Sequence, residues 1–162
     1  MDRRTARGIP LQWFSFGGPS AIVTSLGLIA GFAAAKASTV TVVGALLIVA
    51  VADNLTDSLS IHIYQESERL RPRAVFLATL MNFITRLLVS LSFVLLVLAL
   101  PLAWAFVVAL VWGLLLLGTV TRLVARRRGA KVTHELWKHL AATIVVLIVS
   151  RVIGALILGR TS

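Results

Sequence analysis

The sequence predicts an all-α, polytopic membrane protein with five transmembrane helices. Of its 162 residues, 59% are hydrophobic and only 14% are charged, whereas an average soluble domain is about half apolar and about a quarter charged. The apolar residues form five long runs that short polar segments separate. A chain this apolar is not disordered, and the absence of cysteine excludes a disulfide framework and Cys-ligated metal sites.

The five runs match the length that a helix needs to cross the hydrocarbon core, roughly 20 mostly apolar residues. Their length favours helices over strands of a buried sheet. They also lack the alternation of apolar and polar residues that membrane barrels require. We therefore expect a single transmembrane domain over residues 1–162, with spans at about 20–35, 39–64, 74–98, 102–123 and 140–158.

The connections between these spans are short. Pro19 suits the first turn of a helix, so it predicts the start of span one. Residues 36–38 and 65–73 join the next spans, and Pro101 marks the turn between spans three and four. Only residues 122–139 form a loop with room for structure of its own.

The basic residues predict the orientation. Twelve of the sixteen Lys and Arg residues fall in the N-terminal tail, in the connection after span two and in the connection after span four. Lys36 and Arg160 alone lie on the other side. Because cytoplasmic loops carry the excess of Lys and Arg, we expect a cytoplasmic N-terminus and an external C-terminus. This bias, together with binding to anionic lipid headgroups, accounts for the net charge of +10 without nucleic acid as a partner.

The scarce acidic residues point to function. A carboxylate at membrane depth is costly, so it faces a partner or a watery cavity. Oxygen ligands with an imidazole suit Mn²⁺ or Fe²⁺, and two carboxylates one helical turn apart titrate as a coupled pair. We therefore expect Asp53 and Asp57 to bind a metal ion or protons within the membrane. Four of the six acids lie on or just after span two, namely Asp53, Asp57, Glu66 and Glu68.

A purely structural interpretation stays open beside this one. Counting ~1.5 Å per residue from the cytoplasmic ends places Asp53, Arg86 and Arg151 roughly 18 Å deep. Asp57 and Asn82 both lie about 12 Å deep by the same count. Two aspartates and two arginines sum to zero charge, so they can be ion pairs that hold spans two, three and five together. Arg86 and Arg151, with Asn82 nearby, would then be counter-charges, which a cation or proton displaces if the protein transports ions.

Other residues are expected along a path through the membrane and at its mouth. The residues that would line the path are Ser20, Thr24, Asn54 and Ser60. The residues that would capture metal ions at the cytoplasmic entrance are His62, Glu66, Glu68, Glu135 and His139. The segment that contains Glu135 and His139 has a second interpretation, as an interfacial helix end anchored by Trp137.

Small residues recur every four positions in span one, at Gly27, Gly31 and Ala35. This spacing is typical of closely packed helix pairs in lipid. It fits a dimer interface and contact within one subunit about equally well.

Two segments resemble the vacuolar iron transporter family. Residues 18–31 (GPSAIVTSLGLIAG) are similar to the family's opening helix, and residues 52–68 have its run of small and polar residues that ends in acids. The resemblance implies a homodimer through span one that exchanges Fe²⁺ or Mn²⁺ for protons and moves the metal out of the cytoplasm. It implies no permanently bound cofactor, since the metal is the transported substrate.

The chain departs from the family pattern at three places. Ser20 stands where the family has an aspartate, and Asp57 falls where the family has a methionine. Only residues 65–73 occupy the place of the family's glutamate-rich cytoplasmic domain. The chain therefore resembles a short prokaryotic-type member of the inner membrane that lacks this metal-binding domain, with its metal chemistry moved to Asp53 and Asp57.

The expected function is proton-coupled export of Fe²⁺ or Mn²⁺. The alternative is a non-transporting helical subunit or scaffold whose buried Asp and Arg residues are structural ion pairs. A third class is an anion pathway with Arg86 and Arg151 as the selective charges. No catalytic motif is present in the sequence, so we do not expect an enzyme.

Overall fold

The computed structural model describes residues 12–161, with side chains for residues 17–102, 104–126 and 129–158. This part of the chain is all-helical and contains no strand, which confirms the predicted fold class. Each helix is long and apolar enough to cross a bilayer, as expected of an integral membrane protein. The helices are α1 (Gln12–Ala34), α2 (Thr39–Ser67), α3 (Pro72–Ala99), α4 (Leu102–Arg128) and α5 (Val132–Thr161).

Local sequence explains where several helices begin and end. Ser38 is the N-cap of α2, and its hydroxyl accepts a hydrogen bond of 3.2 Å from the Thr41 N–H. Pro101 precedes α4, as predicted for the turn between spans three and four. Gly129 ends α4 with φ 65°, a left-handed conformation that glycine adopts without steric cost.

Two predicted boundaries are wrong. Pro19 lies inside α1 rather than at its first turn, because α1 begins at Gln12. Residues 122–139 are not a loop, because α4 continues to Arg128 and α5 begins at Val132. Arg and Leu favour helices, and long basic side chains reach the membrane surface from a helix end, so charge here does not mark the end of the helix.

Helix α1 is the centre of the bundle. It contacts α3, α4 and α5 extensively, whereas α2 packs mainly on α3. Half of the membrane-spanning part of α1 is buried (50%), compared with 11% of that of α5. The main apolar core lies in the half of the bundle near the α1–α2 and α3–α4 turns and includes Ile22, Leu26, Leu46, Phe93 and Val97.

The glycines of span one contact α5 of the same chain. A Cβ added at Gly154 would collide with the Gly31 carbonyl oxygen, and a Cβ at Gly27 would lie 2.8 Å from Val146 and 3.1 Å from the Ser150 hydroxyl. The prediction that Gly27 and Gly31 form a dimer interface is therefore corrected. Their small size serves close packing inside one subunit, which was the other interpretation of the pattern.

Candidate functional site

The centre of the candidate site is Arg86 on α3, whose side chain is 1% exposed. Its Nη2 donates a hydrogen bond of 2.7 Å to Asp53 Oδ2, and its Nη1 donates one of 2.8 Å to Asp57 Oδ2. Asp53 is paired with Arg86, which was one of the arrangements that the sequence left open, and Asp57 shares the same guanidinium. We call Asp53, Asp57 and Arg86 the charged cluster.

Two further groups fix the guanidinium. Arg86 Nε donates a hydrogen bond of 2.9 Å to Asn54 Oδ1, and Nη1 also approaches the Gly17 carbonyl oxygen at 3.4 Å. Asn54 is itself anchored, because its Nδ2 donates to the Ala50 carbonyl at 2.6 Å. Arg86 thus has neutral partners on α1 and α2 that do not depend on the charge of either aspartate.

Gly17 makes room for this side chain. A Cβ at Gly17 would lie 2.7 Å from Arg86 Cγ and 2.8 Å from Cδ, and it would collide with Asn82 Oδ1. Only a residue without a side chain lets α1 approach α3 here. The contact between the N-terminal part of α1 and α3 therefore depends on glycine at position 17, which leaves space for the arginine side chain.

A neutral polar pair lies one turn from the charged cluster. Asn82 Nδ2 donates a hydrogen bond of 3.0 Å to the Ser58 hydroxyl, and both residues are buried. Asn82 Oδ1 is buried without a hydrogen-bond partner among the described residues and faces Gly17. The prediction that Asn82 accompanies Arg86 is consistent with this position, although Asn82 contacts Ser58 rather than Asp57.

The charged cluster carries a net charge of −1 when both carboxylates are ionised. The side chains of Asp53 and Asp57 are 47% and 39% exposed, whereas Arg86 is enclosed. Each carboxylate uses Oδ2 for the arginine and keeps Oδ1 without a hydrogen-bond partner among the described residues. The excess negative charge therefore lies on the outer side of α2, where no other described side chain forms an ion pair with it.

Arg151 does not take part in this cluster, so its prediction as a counter-charge is wrong. Its guanidinium carbon lies 5.4 Å from the centre of the Phe106 ring, as a cation–π contact between α5 and α4. Arg151 is exposed. Since α5 packs on α1 rather than on α2, equal depth in the membrane did not bring it to the aspartates.

The predicted path-lining residues divide into three groups. Asn54 is 1% exposed and binds Arg86, so it lies behind the carboxylates and is not on an open surface. Ser60 is exposed on α2 and donates to the Thr56 carbonyl oxygen at 3.0 Å. Thr24 lines a groove between α1 and α5, and Ser20 is exposed. Neither α1 residue has a hydrogen bond to the charged cluster among the described side chains, so the path along α1 stays a prediction that the structure does not connect to the cluster.

The predicted metal-capturing mouth does not form one cluster. His62 Nε2 lies 3.3 Å from Glu66 Oε1 and His62 Nδ1 lies 3.1 Å from the Thr79 hydroxyl. On α5, Glu135 accepts from Lys138 at 3.1 Å, while His139 Nδ1 lies 3.1 Å from the hydroxyl of Thr121 on α4.

Glu68 is the C-cap of α2. Within the described part of the chain, no three His, Asp or Glu residues lie close enough together to hold a metal ion. This corrects the prediction that joined Glu135 and His139 to the acids of α2. His62 has its hydroxyl partner on α3, whereas His139 has its hydroxyl partner on α4.

Sequence reasoning missed the contacts of Gly17 and Ser58 with α3. The only signal for Gly17 was the pair Gly17-Gly18 ahead of Pro19, which is equally typical of a helix entrance. Ser58 follows Asn54 by four residues, a spacing that places both on one helical face but does not identify α3 as the partner.

Comparisons of the chain with protein-family models, with curated proteins and with solved structures found no match.

Proposed function

We propose that the protein is a proton-coupled cation transporter of the prokaryotic inner membrane, with Asp53 and Asp57 as its ion-binding groups. The observation that carries this proposal is the unequal charge of the cluster, in which two half-exposed carboxylates share one enclosed arginine. A one-to-one ion pair would join α2 to α3 without any spare charge. The spare negative charge is what a transported cation or a proton would neutralise.

Energetics support the same interpretation. A charged side chain at the centre of a transmembrane helix costs about 2.5–3.5 kcal/mol on insertion scales. A carboxylate that is nearly half exposed and unbalanced would keep this cost if it faced lipid. Such a residue is retained at membrane depth where a cation, a proton or a covering partner compensates it.

The arginine supplies a fixed positive charge in the transport cycle. A proton or metal ion that binds Asp53 and Asp57 competes with Arg86 for the carboxylate oxygens. The bonds of Arg86 to Asn54 and to the Gly17 carbonyl hold the guanidinium in place during this exchange. Return of both carboxylates to the fixed guanidinium then favours release of the cation.

We propose Fe²⁺ or Mn²⁺ as the substrate, exported from the cytoplasm in exchange for protons. Carboxylate oxygens suit these ions. One divalent ion carries twice the charge that a single cluster lacks, so we propose that two copies of the chain meet through the exposed side of α2. Two clusters of net charge −1 together balance one such ion.

The test is uptake of Fe²⁺ and, separately, Mn²⁺ into proteoliposomes under an imposed pH gradient. We expect flux in the unmodified protein and loss of at least tenfold when Asp53→Asn and Asp57→Asn are combined. The matched control is Arg151→Gln, which removes a charged side chain of a membrane-spanning helix outside the cluster and leaves flux unchanged. Full flux in the double variant would contradict the proposed ion site.

The dimer has its own test, because the chain contains no cysteine. A single Thr56→Cys substitution on the exposed side of α2 should form a disulfide between copies in liposomes. Cross-linking at Thr56→Cys but not at Val149→Cys on α5 supports the α2 contact. The reverse result contradicts it.

A second candidate is a non-transporting membrane subunit, and a specific observation favours it. Both aspartates lie within hydrogen-bond distance of Arg86, as expected of residues that join α2 to α3. A partner with a basic residue on its facing helix would then supply the missing charge. This alternative predicts no metal or proton flux and a stable heteromeric complex that Asp53→Asn weakens.

A further inference from the structure

A groove of about 580 Å³ runs along the contact between α1 and α5, away from the charged cluster. The lining is mainly apolar, with Leu28, Phe32, Ile153 and Ile157 among its residues and only Thr24 and Ser150 offering hydroxyls. This volume is typical of small-molecule sites.

The groove has the length of one membrane leaflet. It follows α1 from Thr24 to the end of the helix at Ala34, about 15 Å at 1.5 Å per residue, and continues to Ala35 and Ala37 in the α1–α2 turn. Half of the hydrocarbon core is about 15 Å thick. A molecule in the groove would therefore reach from the end of the bundle to the middle of the membrane.

The end of the groove at the α1–α2 turn is basic. Lys36 lies between the groove residues Ala35 and Ala37, and its side chain is exposed. Among the described side chains, Lys36 has no ion-pair partner. The described segments 35–38 and 99–102 at this end contain Lys36 and no acid. This end of the groove thus attracts an anionic group.

The groove does not suit a helix of a second copy. Close approach of helices in lipid requires small residues at the contact, and Gly27, Gly31 and Gly154, although they line the groove, already make the close contact between α1 and α5. The other lining residues on these two helices include the larger side chains of Leu28, Phe32 and Ile153, which keep the backbone of a second helix at a distance. The remaining groove fits a flexible chain better than a helix about 10 Å across.

We propose that this groove binds one acyl chain of an anionic phospholipid, whose phosphate lies at Lys36. The apolar lining takes the acyl chain, and the unpaired ammonium group attracts the headgroup. This site is independent of the charged cluster, because none of the groove's lining residues belongs to that cluster.

The test measures lipid retained by the full-length protein after transfer from vesicles of equal phosphatidylglycerol and phosphatidylcholine. Native mass spectrometry counts the lipids on each chain. We expect one retained phospholipid with at least a threefold preference for phosphatidylglycerol. Lys36→Gln should abolish the preference, and Ala35→Trp should remove the lipid by filling the groove.

Two controls make the result decisive. Ala74→Trp adds the same ring to an exposed position on α3, away from the groove, and should retain the lipid. Ile153→Trp fills the groove from α5 and replaces Ala35→Trp if that variant fails to fold. Equal lipid retention in all variants overturns the proposal, as does a disulfide between copies at a single Ile153→Cys, which would place a second chain in the groove.

Discussion

The two ends of α1 use glycine in different ways. At the N-terminal end, Gly17 leaves room for a charged side chain from α3, and its carbonyl oxygen accepts from Arg86. Further along, Gly27 and Gly31 let the α5 backbone approach. The first end holds an unbalanced, half-exposed charge, whereas at the second the backbones of α1 and α5 are in direct contact beneath an apolar groove. Small residues on a membrane helix thus do not identify a single role, because the partner side chain or backbone decides it.

Among the substitutions near Gly17, removal of Arg86 should lower the free energy of unfolding the most. Arg86→Leu leaves Asp53 and Asp57 without their cation, and loss of one partner from a buried pair costs about 3–5 kcal/mol. Half-exposure of the carboxylates places the expected loss at the lower end of this range. The measurement is the free energy of unfolding in detergent. The matched control is Arg151→Leu, which loses an exposed cation–π contact of about 0.5–1 kcal/mol; equal losses in both variants would contradict a structural role for the charged cluster.

Filling the glycines should show which end tolerates a methyl group. Overpacking costs about 1–3 kcal/mol. We expect Gly154→Ala to cost more than Gly17→Ala, because its Cβ meets the backbone carbonyl oxygen of Gly31, whereas the Cβ at Gly17 meets side chains, which can shift without moving a helix. The free energies of unfolding of both variants are compared with that of Gly118→Ala, because a Cβ at Gly118 would meet nothing within 4 Å.

A double substitution tests whether Gly17 positions Arg86. In an Arg86→Leu background, the further cost of Gly17→Ala should fall, because part of the collision is with the arginine. Residues in contact show such coupling, and distant ones add independently. Strict additivity would mean that Gly17 does not position Arg86.

The sequence predicted the class of fold and one contact of the site but not the partners of most polar residues. Hydropathy and length alone identify five helices, and the scarcity of acids singles out Asp53 and Asp57. Depth counted from helix ends placed Arg86 and Arg151 at the same level, yet only Arg86 reaches the aspartates. Depth is a coordinate along the helix, whereas contact also depends on which helices are neighbours and how each is rotated. Those quantities arise from packing of all five helices, which the order of residues in one helix does not specify.

The two buried asparagines should differ in their effect. Asn54→Leu leaves the Arg86 Nε without its acceptor, and an unsatisfied buried donor costs about 1–3 kcal/mol. Asn82→Leu removes one hydrogen bond to Ser58 together with an oxygen that already has no partner, so we expect a smaller loss. Unfolding free energies of the two variants test this order. A larger loss for Asn82→Leu would show that its unpaired oxygen has a partner in the membrane.

The smallest effect should come from a glycine that has no neighbour. Gly44 lies in α2, and a Cβ there would meet nothing within 4 Å. Since glycine in a helix costs roughly 0.5–1 kcal/mol relative to alanine, Gly44→Ala should stabilise the protein by about that amount. The same substitution thus lowers stability at Gly17 and Gly154 and raises it at Gly44. A loss of stability at Gly44 in liposomes, but not in detergent at low protein concentration, would indicate that another copy covers this side of α2, because only a neighbour from outside the chain would meet the added methyl group.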